Sequence, residues 1–382
     1  MTMHILYGMP GAYYTAKVRA YLRKQRIPFE ERVPGDARFT KEIVPQTERW
    51  IIPVLQTPDG QVIQDGTVIL DHFEALGSTG PSATPPDPLL RVLAHVFELF
   101  GGEGMLRPAM HYRWNFDAHN LPFLRADFIA GLNPNGSPEE AEQTFLLASG
   151  RMRKATLSFG VNPETIPLVE ASYLDFLQRF ERHLVHSPYV LGSTPTYADY
   201  GLIAPLQPHL ARDPYPGKLM KQVAPRVLRW VERMNAPDAE AGEYLGLAPA
   251  WIDPLAADSS LHSLLRFIAE DYLPELRAQV EFSNAWLADQ PDLQAGTNGL
   301  PRTGDRSIGK TTFTWRGVAT TVTVLPYRLY MLQRIQDAAA QLNATQSQDF
   351  HALMELCGLR ELLTLRSSRR VERRGQCEVW GA

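Results

Sequence analysis

The sequence predicts an N-terminal α/β unit, an all-helical second domain and an α+β extension at the C-terminus. Three observations carry that reading. Strand-like and helix-like segments alternate over residues 1–77, apolar residues recur at helical spacing over 89–249, and β-branched residues alternate inside an otherwise helical tail, 250–382. A proline- and glycine-rich segment, 78–88, links the first two. At roughly 150 residues per domain, the 382 residues fit two or three domains.

Each element follows from local signals. The run MHILY at 3–7 predicts a strand, Gly8, Pro10 and Gly11 a turn, and Val18, Tyr21 and Leu22 a helix over 15–26. Ile27-Pro28-Phe29 opens a second extended segment, and Ile51–Leu55 reads as a buried strand interrupted by Pro53. Pro58-Asp59-Gly60 turns the chain back into 61–64, which predicts a hairpin. Asp65 then caps a helix whose apolar positions are Val68, Ile69, His72, Phe73 and Leu76. Beyond the linker, helices are predicted over 89–100, 138–157, 167–184, 198–210 and 218–234. In the extension, 261–288 reads as helix around Pro274, 311–325 as a hairpin about Arg316-Gly317, and 327–365 as helical again.

Composition excludes several classes. With 44% hydrophobic and 21% charged residues the chain can offset the entropy of ordering, so it folds. The 38 basic and 42 acidic side chains leave a charge of −4, which disfavours a nucleic-acid binder. No long apolar run or signal-like leader is present, predicting no membrane partner and a cytoplasmic location. Two cysteines, Cys357 and Cys377, suit a reducing compartment. Cys357, among apolar neighbours, reads as a core thiol. The histidine spacing matches no metal motif.

Four local patterns then converge. Leu6-Tyr7-Gly8-Met9-Pro10, Lys17-Val18-Arg19 with Leu22, and Ile27-Pro28-Phe29-Glu30 form the first. Ile52-Pro53-Val54-Leu55 is the second, Asp65-Gly66 opening a helix the third, and Thr196-Tyr197-Ala198-Asp199 after Tyr189-Val190-Leu191-Gly192 the fourth. Over about residues 3–235 the chain resembles the cytosolic glutathione transferase superfamily. The resemblance implies a thioredoxin-like N-terminal domain, an all-helical C-terminal domain, glutathione as cosubstrate, a small apolar or aromatic electrophile as second substrate, and a homodimer. In that homodimer the N-terminal unit of one subunit packs on the helical domain of the other. Ile52 and a cis Pro53 would present backbone to the cysteinyl part of glutathione. Asp65 would attract the γ-glutamyl ammonium, while amides at Gly66 and Thr67 receive its carboxylate.

A thiol with pKa near 8.5 is only a few per cent ionised at neutral pH, so something must stabilise the thiolate. Lowering that value by two units takes about 2.7 kcal/mol. A helix N-terminus gives about 0.3–1 kcal/mol, rising to ~2 when partly buried, so a hydroxyl donor is needed as well. Ala12 stands where many relatives carry a catalytic serine, leaving Tyr14, Thr15 and then Tyr13 as catalytic candidates. Ile51 stands where a lysine is common, and Gly66 where a serine is. Thr196 and Asp199 are assigned to stability, because a capping box completes its own hydrogen bonds.

The polar and aromatic stretch containing His95, Glu98, Glu103, His111, Tyr112, Trp114 and His119 offers a substrate pocket, with His111, Tyr112 and Trp114 as its candidate lining. The run Arg366, Arg369, Arg370, Arg373 and Arg374 reads as a solvated or salt-bridged helix end, with contact to an anion or nucleic acid as the lesser alternative. The alternative to an enzyme is a non-catalytic scaffold of the same fold, favoured by Ala12, Ile51 and Gly66. Thiol-disulfide exchange is disfavoured, since the first turn holds no cysteine.

Overall fold

The computed structural model describes residues 3–382 except 78, 239, 240, 247, 249 and 258. The predicted boundary residues Met1, Ser78 and Pro249 therefore lie outside the described residues. The N-terminal unit runs β1 (His4–Tyr7), α1 (Tyr13–Lys24), β2 (Phe29–Arg32), a π-helical stretch Phe39–Ile43, α2 (Val44–Thr47), β3 (Val54–Gln56), β4 (Val62–Gln64) and α3 (Gly66–Leu76). Its mixed sheet has the order β2-β1-β3-β4, with β1 parallel to β2 and antiparallel to β3, and β4 at the edge. The strand alternation sorts the side chains. Leu6, Leu55 and Ile63 join the core that holds Val18, Leu22, Ile69 and Leu70, whereas Ile5, Tyr7, Val54 and Val62 pack on Phe39 and Ile43.

The helical domain contains α4 (Pro88–Leu99) with a π-helical continuation to Gly104, α5 (Leu106–Trp114), α6 (Asp117–Leu132), α7 (Pro138–Ser158), α8 (Ile166–His183), α9 (Tyr197–Pro205) with its own continuation to Ala211, α10 (Pro214–Val223) and α11 (Pro225–Asn235). Glycines allow its two central helices to meet. A Cβ at Gly101 would stand 2.3 Å from the Gly201 carbonyl carbon, so neither position tolerates a side chain. The capping box forms at α9: Thr196 Oγ1 accepts from the Ala198 amide at 3.3 Å, and the Asp199 carboxylate accepts from the Thr196 amide at 2.9 Å. Asp199 also receives the Val190 amide and the Trp230 indole N–H, tying three segments together. Thr196→Ala is expected to cost about 1 kcal/mol, read from the urea midpoint; no change would mean that the hydroxyl caps nothing.

The extension comprises α12 (Ser260–Asp271), α13 (Leu273–Ala288), the hairpin β5 (Gly309–Trp315) and β6 (Val318–Val324), α14 (Pro326–Ala339), α15 (Ala344–Leu356), and a second hairpin, β7 (Val371–Arg374) and β8 (Cys377–Trp380). Arg316 and Gly317 both have positive φ, the conformation a two-residue hairpin turn requires. The second hairpin corrects the reading of the arginine run. Instead of ending a helix, these residues lead into and build β7, because they find partners there: Arg370 with Asp337 at 2.6 Å, Arg373 with Glu378 at 2.9 Å, and Arg369 with the Gly381 carbonyl at 2.7 Å. Cys357 and Cys377 are both free thiols and both buried.

This extension is packed onto the N-terminal unit. Arg334 of α14 pairs with Asp71 of α3 at 2.7 Å. Gln376 accepts from the Gln64 amide at 2.9 Å and donates to the Val62 carbonyl at 3.0 Å, so its side chain satisfies the open edge of β4. Among the described residues no helix is long and apolar enough to cross a membrane.

Candidate functional site

Sheet register brings the predicted segments to one place. Tyr7 pairs with Val54, and Val54 with Gln64, so the β1–α1 loop, the Ile52-Pro53 segment and the start of α3 meet at the same end of the sheet. The loop is held from both sides. Arg19 donates to the Met9 carbonyl at 3.0 Å, and Arg113 of α5, itself paired with buried Asp213, donates to the Gly11 carbonyl at 2.7 Å. Helix α1 starts at Tyr13, and Ala12 at its N-cap supplies no side-chain acceptor. The first amides of α1 thus face the loop without an alcohol or carboxylate of their own.

The three candidate hydroxyls go different ways. Tyr13 donates to the Gly101 carbonyl at 2.6 Å, and burial pushes its phenol well above the ordinary value, with Tyr14 and Glu103 adding to the rise. Tyr14 donates to Glu103 at 3.0 Å and is pushed up by burial first and by Glu103 second. Both phenols therefore join α1 to the segment after α4. Thr15 is 0% exposed, and its Oγ1 has no hydrogen-bond partner among the described residues. It lies against Gly8, where a Cβ would come within 2.9 Å of that oxygen.

Ile52-Pro53 is a cis peptide. Ile52 is half-buried between the cluster around Phe39 and a second one containing Met9, Met110 and Trp114. Asp65 accepts from the Thr67 and Val68 amides at 2.9 and 3.3 Å, so its carboxylate caps α3 and occupies the Thr67 amide, one of the two that the resemblance assigns to a ligand carboxylate. Gly66 is buried against α1, where a Cβ would lie 3.4 Å from the Lys17 Cδ. Thr67 Oγ1 receives Lys17 at 2.8 Å and donates to Glu98 at 3.1 Å.

His111, Tyr112 and Trp114 are brought together on α5 but face protein, at 1%, 2% and 2% exposure. Tyr112 stacks on Phe116, and His111 Nε2 meets Glu170 at 3.0 Å. Burial lowers the His111 pKa, and Glu170 only partly opposes it. The extension supplies groups that sequence reasoning missed. Tyr327 brings its hydroxyl to 3.5 Å from that of Thr67, and Arg373 donates to the Gln64 carbonyl at 3.3 Å, one residue before Asp65. Only the basic character of 366–374 hinted at such a role.

Comparison with known proteins follows the same division of the chain. Residues 6–81 match the glutathione S-transferase N-terminal domain, and residues 163–233 the glutathione S-transferase C-terminal domain. Among solved structures, the beta-etherase LigF from Sphingobium sp. strain SYK-6 is 23% identical, covering 63% of this chain and 97% of its own, with a TM-score of 0.43. A glutathione S-transferase from Methylobacterium radiotolerans, in complex with glutathione sulfonate, is 20% identical over 66% and 99%, with a TM-score of 0.37. A glutathione transferase from Phanerochaete chrysosporium is 14% identical over 62% and 97%, with a TM-score of 0.44. No curated protein matches the sequence.

Proposed function

Because this chain belongs to the glutathione S-transferase superfamily, we propose that it binds glutathione at the shared end of its sheet and uses the thiol against a small apolar or aromatic electrophile. The observation that carries this reading is the uncapped start of α1 beside the cis Ile52-Pro53 segment. Main-chain amides there receive the thiolate, and Ile52 offers backbone to the cysteinyl unit. Asp65 takes the γ-glutamyl ammonium and releases the Thr67 amide, which with that of Gly66 donates to the ligand's carboxylate. Thr15 is the side-chain donor of this mechanism, since Tyr13 and Tyr14 already donate inside the protein.

Amides alone supply at most ~2 kcal/mol, a fall of about one and a half units in the thiol pKa, and the Thr15 hydroxyl supplies the remainder. The reading also includes the homodimer and the cytoplasmic setting. Since α14 and β7–β8 cover parts of α3, α4 and β4, such pairing uses surface outside those patches.

Thermal unfolding with and without glutathione tests the binding step. At 100 times its Kd the tripeptide adds about 2.7 kcal/mol of stability, a shift of several degrees. An unchanged midpoint at millimolar glutathione would favour the scaffold, the reading to which the committed Tyr13, Tyr14 and Thr67 hydroxyls also lend support.

A further inference from the structure

We propose that Arg49, Arg306 and Arg373, gathered around Glu378, form a binding site for a small oxyanion between the N-terminal unit and the C-terminal extension. Arg49 follows α2, Arg306 lies on the approach to β5, Arg373 is in β7 and Glu378 in β8, so distant parts of the chain meet at one carboxylate. Arg49 Nη1 stands 2.7 Å from Glu378 Oε2, Arg373 Nη1 2.9 Å from Oε1, and Arg306 Nε 3.8 Å from Oε2. The side chains of Arg49, Arg373 and Glu378 are 5%, 9% and 7% exposed.

Three guanidinium groups share one directly paired carboxylate. The other acids that act on them do so without a hydrogen bond: Asp65 on Arg373, and Glu103, bonded to Tyr14 and Arg328, on Arg306. Asp305 is engaged by Arg302 at 2.9 Å. Burial by itself would raise the Glu378 carboxyl, yet Arg306, Arg49 and Arg373 together hold it below its ordinary value.

The donors are also in surplus. Arg49 Nε and Nη2 and Arg306 Nε are buried and have no hydrogen-bond partner among the described residues. Buried N–H groups of a charged fork are costly to leave unmade, and a guanidinium edge matches the paired oxygens of a phosphate or carboxylate. Space adjoins the cluster. A water-sized hollow lined by Asn298, Arg306, Pro326 and Glu378 shares Asn298 and Val379 with a cleft of about 300 Å³ that is lined by Thr47, Glu48, Arg374 and Cys377 and by none of the three arginines. The ligand is accordingly a compact anion with several oxygen acceptors, either a free oxyanion or the carboxylate of a larger molecule.

Equilibrium dialysis of the full chain against inorganic phosphate, at fixed ionic strength held with chloride, reads the site directly. Wild type is expected to bind phosphate saturably. Arg306→Gln, at a half-buried position, weakens it about tenfold or more, and Glu378→Gln, which removes the competing carboxylate, tightens it. Circular dichroism melts confirm that each variant is folded. Adding glutathione separates the sources: competition with phosphate assigns the site to a ligand's carboxylate, and simultaneous binding assigns it to a free oxyanion, both within the proposal. No saturable phosphate binding by wild type, or equal affinity in Arg306→Gln, overturns it. The phosphate measurements contain no thiol, so their result is independent of whether glutathione binds.

Discussion

Replacing Glu98 by glutamine is expected to cost about 3–5 kcal/mol of folding stability, because it strands buried cations on two different elements. The Glu98 side chain has no solvent exposure, and it is approached by Lys17 of α1, by Thr67 of α3 at 3.1 Å, by His95 at 2.9 Å and by Arg334 of α14 at 3.6 Å. One carboxylate therefore joins the N-terminal unit, the helical domain and the extension. Removing it leaves Lys17 without its anion and Arg334 with Asp71 alone. Lys17→Met combined with Glu98→Leu should recover more than half of the loss, since an apolar pair replaces a buried ion pair at little net cost.

The same site predicts an acid dependence. Burial would raise the Glu98 carboxyl, but Lys17, then Arg334 and His95, outweigh it and hold it well below the usual carboxylate range. A group held lower in the folded chain than in the unfolded one contributes fully above its unfolded value, about 4.3, and that contribution is lost as pH falls through the folded value. The difference between wild type and Glu98→Gln should thus be largest near neutral pH and shrink below about pH 4. Denaturant midpoints across that range check it. A variant within about 0.5 kcal/mol of wild type at neutral pH would show that the network contributes nothing.

Short-range signals account for what was legible. The β–α–β opening, the cis-proline segment, the Asp65 cap and the Thr196–Asp199 box each sit within a few residues, so a linear reading finds them. Helices α5 and α6 escaped because α5 is buried almost all round, with Arg107 and Arg113 inside the protein, and α6 carries Pro122; neither shows a one-sided apolar stripe. The predicted single helix over 218–234 is two, broken at Ala224-Pro225, where proline ends the preceding helix. The β7–β8 hairpin was hidden by its charged residues, whose partners lie up to hundreds of residues away: Glu378 meets Arg49, and Arg373 reaches Gln64. The site suffered from the same limit. That Tyr13 and Tyr14 are engaged by Gly101 and Glu103 follows from how α1 packs on the segment after α4, which no local motif encodes.

Ala12→Ser is expected to raise the rate of glutathione conjugation about tenfold or more at a pH well below the bound thiol's pKa, at 1.4 kcal/mol per factor of ten. Ala12 is the N-cap of α1, with extended backbone at φ −84° and ψ 126°, and its methyl offers no donor. A serine there places a hydroxyl beside the same amides that receive the thiolate. A hydrogen bond to a charged acceptor is worth about 1.5–3 kcal/mol, enough to lower the bound thiol's pKa by a further one to two units. The gain should appear in kcat at a pH below the bound thiol's pKa and vanish at a pH where the thiol was already ionised, since only the protonation equilibrium is altered. Stability provides the internal control, because serine at an N-cap also strengthens the helix by up to about 1 kcal/mol. Ultraviolet titration of the bound thiolate distinguishes the two effects. A stabilised variant with an unmoved titration and an unmoved rate would place the sulfur away from the start of α1, and with it the chemistry proposed for this fold.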